Sequence, residues 1–99
     1  MGKVSAFSVA GLNLIFRSSD HLPPHFHVQK GTEWEIRVYI DQTTQAHGLS
    51  YDYKFPRNRS RKFRGVSAAE EAELLKNVVQ YRTELLTEWE QKVSPTELI

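Results

Sequence analysis

The order of apolar and polar positions divides this chain into an alternating first two-thirds and a helical last third. Over residues 12–17, Leu12, Leu14 and Phe16 recur at every second position, which puts them on one face of a strand. Residues 33–40 alternate most strictly: Trp34, Ile36, Val38 and Ile40 face one way, and Glu33, Glu35, Arg37 and Tyr39 the other. Residues 25–29 repeat the pattern, with Phe26 and Val28 on one face and His25 and His27 on the opposite one. Leu49, Tyr51, Tyr53 and Phe55 predict a further strand that stops at Pro56, and residues 4–8 a weaker one near the start. Turn signals separate these runs at Ala10-Gly11, Ser18-Ser19-Asp20 and Lys30-Gly31-Thr32, so the first two strands read as a hairpin. Pro23-Pro24 fixes φ twice and removes two N–H donors, which marks an extended approach to the strand at 25–29.

At Ser67 the period changes. Ser67-Ala68-Ala69-Glu70 is a capping box, in which hydroxyl and carboxylate satisfy early backbone N–H groups. Ala72, Leu75, Val79, Leu86, Trp89 and Val93 then follow a three-and-four spacing, widened by Leu74, Val78 and Leu85. One helix of about 25 residues is predicted, ended by Ser94-Pro95. A sheet with one apolar face needs a cover, and a helix with one apolar stripe needs a floor. The predicted fold class is therefore α+β: a small antiparallel β-sheet of 4–5 strands covered by one long C-terminal α-helix. Residues 1–94 form a single α+β domain in this reading, and residues 95–99 a frayed C-terminal tail. One helix leaves part of such a sheet uncovered, which makes a homodimer an expectation.

Composition narrows the class. Ninety-nine residues, 39% hydrophobic and 25% charged, suit one globular core and argue against disorder. The absence of cysteine excludes a disulfide framework, a thiol nucleophile and a thiolate zinc site, and fits a reducing cytoplasm. The longest apolar run, Leu14-Ile15-Phe16, is far below the roughly 20 residues that span a bilayer, so no membrane partner is expected. The net charge of +1 conceals a polarity: residues 1–66 carry ten basic against five acidic residues, and residues 67–99 three basic against seven acidic. The first part thus offers a cationic surface to an anionic partner.

Two stretches carry candidate chemistry. Residues 18–31 hold three of the four histidines, His21, His25 and His27. Side chains at i and i+2 of a strand share a face, so the imidazoles of His25 and His27 can reach one ion or one phosphate. Two histidines beside a cation are the usual equipment for general acid–base chemistry, phosphodiester cleavage included. The structural alternative is a stiff turn into a half-buried strand whose histidines bond to backbone or water. Neither H-x-x-E-H nor H-E-x-x-H spacing is present, so no metal or other cofactor is expected, and a His-ligated metal-dependent hydrolase is the weakest of three readings. The second stretch runs from Lys54 to Arg64 and places Lys54, Arg57, Arg59, Arg61, Lys62 and Arg64 together with two phenylalanines and no acid. Phosphate binding uses such guanidinium-rich loops, and an aromatic ring can stack on an unpaired base. Docking onto Glu70, Glu71 or Glu73 of the helix, or onto an acidic partner protein, would use the same charges.

The run DHLPPHFHVQKG at residues 20–31 resembles the signature of a family of small bacterial proteins, domain of unknown function 4160. That signature is an acidic or polar residue, His, any residue, Pro-Pro-His, an apolar or aromatic residue, His-Val and a short glycine turn. The strand through Leu14 and Arg17, the strand at 35–41 and the helical run ELLTEWEQ at 84–91 are similar to that family as well. The resemblance implies a bacterial or phage-borne gene with a small partner gene beside it, some relatives being toxins of toxin–antitoxin pairs. Only His21, Pro23, Pro24, His25 and His27 carry over, as positions that define the motif, and no catalytic role comes with them. Residues 43–63 look longer than usual for the family, which leaves the basic loop outside the resemblance. The function expected is that of a toxin-like component of a type II pair, acting on nucleic acid or its machinery, with a cognate antitoxin or other small protein as partner. A non-catalytic protein-interaction module is the alternative.

Overall fold

A computed structural model of the chain describes residues 2–17, 21–55 and 65–93. Alternation in the sequence becomes one five-stranded antiparallel sheet in the order β1-β2-β3-β4-β5, a simple meander. The strands are β1 (Gly2–Lys3), β2 (Asn13–Phe16), β3 (His25–Lys30), β4 (Trp34–Tyr39) and β5 (Tyr51–Phe55). Gly31, at φ +53°, makes the tight β3–β4 turn that Lys30-Gly31-Thr32 predicts, closed by the Glu33 N–H donating to the Lys30 carbonyl at 2.9 Å. Register then turns single residues into rows across the sheet. Leu14, Val28, Ile36 and Tyr53 form one row, and Phe26, Val38 and Tyr51 another, on the apolar face. Ile15, His27, Arg37 and Asp52 form a row on the opposite face, flanked by Asn13–Gln29–Glu35 and by His25–Tyr39.

The apolar face is buried beneath helical residues. Leu74, Val78, Leu85 and Trp89 join Phe16, Phe26, Val28, Trp34, Ile36, Val38 and Ile40 in one core. The capping box forms as the sequence predicts: Ser67 accepts from the Glu70 N–H, and the Glu70 carboxylate accepts from the Ser67 N–H.

Two expectations need correction. The long helix is two helices, α1 (Ala68–Gln80) and α2 (Arg82–Lys92), joined at Tyr81, whose φ −107° and ψ 23° leave the helical range. Two contacts account for the break. The Tyr81 ring stacks on Phe7 at 6.1 Å, and the next residue, Arg82, donates to the Ile40 and Thr43 carbonyls at 2.8 and 2.7 Å. The apolar stripe stays in phase across the junction, so periodicity alone reads one continuous helix.

The predicted strand at 4–8 is also displaced. Strand β1 covers only Gly2 and Lys3, and a last bond from the Val4 N–H to the Leu14 carbonyl at 3.0 Å precedes the departure from the sheet. Val4 and Phe7 lie three residues apart and would face opposite ways in a strand, yet both are buried. An irregular path buries them together, with Phe7 edge-on to Phe26 at 6.0 Å. This segment is held by α2, where buried Glu88 accepts from the Ser5 N–H at 2.7 Å and Lys92 donates to the Lys3 carbonyl at 2.7 Å. The turn at 18–20, most of the basic stretch and the tail at 95–99 lie outside the described residues. No helix among the described residues is long and apolar enough to cross a membrane.

Arg82 spans from the helical junction to the loop after β4, so its loss should cost stability without dissolving either element. Arg82→Met should lower unfolding free energy by about 2–3 kcal/mol, with unsatisfied carbonyls the main cost. A urea titration checks this: the midpoint should fall at an unchanged slope while far-UV circular dichroism keeps its helical signal.

Candidate functional site

The opposite face of the sheet carries the histidines. Strand β3 projects His25 and His27 to the same side, and their rings meet edge to face at a centroid distance of 5.2 Å. Neither ring is solvated as a polar strand face would suggest, because only 6% of His25 and 2% of His27 is exposed. His25 is packed against Tyr39 and against Trp89 of α2, each at 5.5 Å between centroids. The strand is more deeply buried here than the half-buried face expected from the sequence, and the bonding to backbone expected there is found at His25, whose ring meets the Pro23 carbonyl.

Those partners settle the tautomers. His25 Nδ1 lies 2.8 Å from the Pro23 carbonyl, which can only accept, so Nδ1 carries the hydrogen. His27 Nδ1 lies 3.0 Å from Oε2 of Glu35, an ionised carboxylate, and it too must donate. In the neutral form of either ring Nε2 is then the acceptor, and in the protonated form Nε2 becomes a donor.

Glu35 is the centre of the face. Its Oε2 also accepts from Arg17 at 2.9 Å and lies 3.6 Å from Lys54 Nζ, while Oε1 accepts from Gln29 at 2.9 Å. Burial pushes its carboxyl up, but the Gln29 hydrogen bond, the Arg17 hydrogen bond and charge, and the Lys54 charge outweigh it, and the pKa falls to about 2. Beside it, Arg37 pairs with Asp52 at 2.8 Å, and the Tyr39 hydroxyl donates to the same carboxylate at 3.0 Å. Burial, then the Asp52 hydrogen bond and charge, raise the Tyr39 phenol, which therefore stays protonated.

A cavity of about 230 Å³ opens among His21, His25, His27, Arg37, Tyr39 and Lys54, with Leu22 and Pro23 of the preceding turn at its edge. The Leu22–Pro23 peptide bond is cis. The structure thus gathers His21, His25, His27 and Lys54, four of the residues singled out in the sequence, in one place. Lys54 turns to Glu35 rather than to the helix glutamates, of which Glu70 pairs with Lys30 at 2.9 Å and Glu71 accepts from the Tyr51 hydroxyl at 3.1 Å. Asp20, Arg57, Arg59, Arg61, Lys62 and Arg64 lie outside the described residues.

Sequence reasoning missed Arg17, Glu35, Arg37 and Tyr39 as site residues. A signal for three of them was present, since Glu35, Arg37 and Tyr39 share the polar face of the most regular strand. Only register, which sets Arg37 opposite His27 and Tyr39 opposite His25, joins that face to the histidines. Among the described residues, three fixed cations, Arg17, Arg37 and Lys54, meet two carboxylates, Glu35 and Asp52, on this face. Among the described residues, no three His, Cys, Asp or Glu side chains are grouped to hold a metal ion.

The depressed Glu35 carboxyl makes stability depend on acid in a defined direction. A folded pKa of about 2 against an unfolded value of 4.5 gives stability that is complete above pH 4.5 and is lost as pH falls toward 2. The loss should be about 2 kcal/mol, given the partial solvent screening of this open face. Glu35→Gln should be less stable than the parent at pH 7 and should show a shallower loss between pH 4.5 and pH 2, read from urea midpoints at each pH.

No curated protein and no solved structure matches the chain. The family model described as domain of unknown function (DUF4160) matches residues 11–90, a span that begins just before β2 and ends within α2 and so contains the whole histidine-bearing face from Asn13 to Lys54. On that match the chain belongs to the DUF4160 family.

Proposed function

We propose that this protein is the toxin-like component of a bacterial type II toxin–antitoxin pair, acting on nucleic acid in the cytoplasm. The observation that supports this most is the cavity in which His21, His25 and His27 stand beside Arg37, Tyr39 and Lys54. A phosphodiester is an anion, which suits a face whose described residues include Arg17, Arg37 and Lys54. Arg37 and Lys54 would hold the phosphoryl oxygens, and the Tyr39 hydroxyl would add a neutral donor. His27 is oriented by Glu35 through Nδ1, so Nε2 would be the nitrogen that exchanges a proton with an attacking hydroxyl. His25, oriented by the Pro23 carbonyl, would return a proton to the leaving oxygen from Nε2 when protonated, with His21 at the mouth of the cavity. Lys54 begins the basic run that continues in the sequence through Arg57, Arg59, Arg61, Lys62 and Arg64, a composition suited to binding further phosphates. A cognate antitoxin or other small protein, and a second copy of this chain, are the protein partners under this reading.

A protein-interaction module is the second reading, and the burial of His25 and His27 favours it. In that case the histidines stabilise the sheet, and the cationic face receives an acidic protein surface.

Expression in a bacterial host separates the two. Under the toxin reading the parent chain arrests growth, and His25→Ala combined with His27→Ala relieves the arrest while circular dichroism reports a folded protein. Normal growth at high expression of the parent overturns that reading. Binding to RNA or DNA should weaken steeply between 50 and 200 mM salt, by about tenfold or more if two to three phosphates are contacted. A salt-independent binding constant would exclude phosphate-led recognition.

A further inference from the structure

A second cavity, of about 380 Å³, lies on the same face of the sheet, lined by Gly2, Lys3, Asn13, Ile15, Arg17 and Gln29. It adjoins the histidine cavity through shared structure. Ile15 stands directly opposite His27, and the Glu35 carboxylate receives Gln29 and Arg17 from this side and His27 and Lys54 from the other. Cross-strand neighbours of this kind have Cβ atoms about 5 Å apart, a separation that one nucleotide bridges between its base and its phosphate.

The amides in this second cavity are fixed in orientation. The Glu35 carboxylate can only accept, so it takes the Gln29 side chain by its nitrogen. Gln29 Oε1 must then lie on the other side, where it accepts from Asn13 Nδ2 at 2.9 Å. Asn13, which is exposed, is thereby held with its carbonyl oxygen and its second amide hydrogen available as a paired acceptor and donor. Such a pair is complementary to the edge of an unpaired base, for example the amino group and adjacent ring nitrogen of adenine or cytosine, or the carbonyl and adjacent N–H of uracil. Ile15 supplies an apolar surface for the ring, and Lys3 and Arg17 supply positive charge at the rim.

We propose that the cavity at Lys3, Asn13, Ile15 and Arg17 is a subsite for an unpaired nucleobase, one cross-strand step from a phosphate held in the histidine cavity. The inference rests on the nucleic-acid reading above and makes the substrate single-stranded. In a duplex the base edges are already paired and the ring faces stacked, so a shallow cavity on an open sheet meets phosphates alone.

The test uses the full chain and labelled ten-nucleotide strands of A, C and U, with a G·C-rich hairpin duplex of similar length, followed by fluorescence anisotropy at low salt. Each single strand should bind at least fivefold more tightly than the duplex. Asn13→Ala should bring the single strands to the affinity of the duplex, whereas Lys54→Ala should weaken strands and duplex by a similar factor. Side-chain NMR gives an independent readout, because adenosine has no phosphate and inorganic phosphate has no base. Adenosine should shift the amide signals of Asn13 and Gln29, and inorganic phosphate the imidazole signals of His25 and His27. Equal affinity for all strands and the duplex, or adenosine that leaves the Asn13 and Gln29 signals in place, overturns the base subsite while the phosphate reading stands. No binding of any strand, with no shift from phosphate, overturns both.

Discussion

A carboxylate withdrawn from water costs several kcal/mol unless charge and hydrogen bonds replace its hydration, and the open face of this sheet is organised around one such group. Glu35 on β4 receives Arg17 from the end of β2, His27 and Gln29 from β3, and approaches Lys54 on β5. Four neighbouring strands therefore converge on two oxygen atoms. The opposite face is held by apolar burial, which is non-directional and tolerates small shifts. The Glu35 cluster is directional, and it fixes the tautomer of His27, the amide orientation of Gln29 and, through Gln29, that of Asn13. Without the carboxylate, Arg17, His27 and Lys54 would face one another as donors with nothing to accept.

The two faces communicate through Trp89. This α2 side chain packs edge to face on Phe16 at 6.5 Å within the core, and its ring also lies against His25. The position of α2 thus bears on one histidine directly, and the position of β4 bears on the other through Glu35. Arg82 and the Glu88–Lys92 pair anchor α2 at both ends, the first to the loop after β4 and the second to the N-terminal segment. The N-terminal segment and the sheet are tied to the same helix that backs His25, so the geometry of the cavity depends on the packed domain rather than on the Pro-Pro-His motif alone.

Faces of single strands were legible in the sequence, and rows across strands were not. Alternation correctly places His25 and His27 opposite Phe26 and Val28, and Glu35 and Arg37 opposite Ile36 and Val38. Alternation has no information on which residue of β4 stands beside His27, because that depends on the length of the β3–β4 turn and on pairing. The cluster at Glu35 is accordingly invisible until register is known, although each member is polar and correctly faced. The approach of His21 to His25 has a different origin: it depends on the course of the turn through Leu22 and Pro23, which no periodicity describes. Helix periodicity failed at Tyr81 for a third reason. A stripe of Leu74, Val78, Leu85 and Trp89 specifies a buried face, and a one-residue interruption that keeps the phase leaves that stripe intact.

Burial of the histidines and the fixed orientation of their rings follow from the same arrangement. A ring that is 2% exposed must satisfy its polar atoms within the protein, and His27 does so by donating Nδ1 to Glu35. That bond also decides that Nε2 is the nitrogen with a lone pair in the neutral ring, and it holds the ring in one orientation. An imidazole oriented by a carboxylate on one nitrogen is the arrangement that proton transfer at the other nitrogen requires. The structural account of His27 and the chemical one therefore share a cause, and burial by itself does not argue against a site. Charge distinguishes them instead. A purely structural cluster gains most from neutrality, whereas the described residues of this face set Arg17, Arg37 and Lys54 against Glu35 and Asp52, with the histidines beside them.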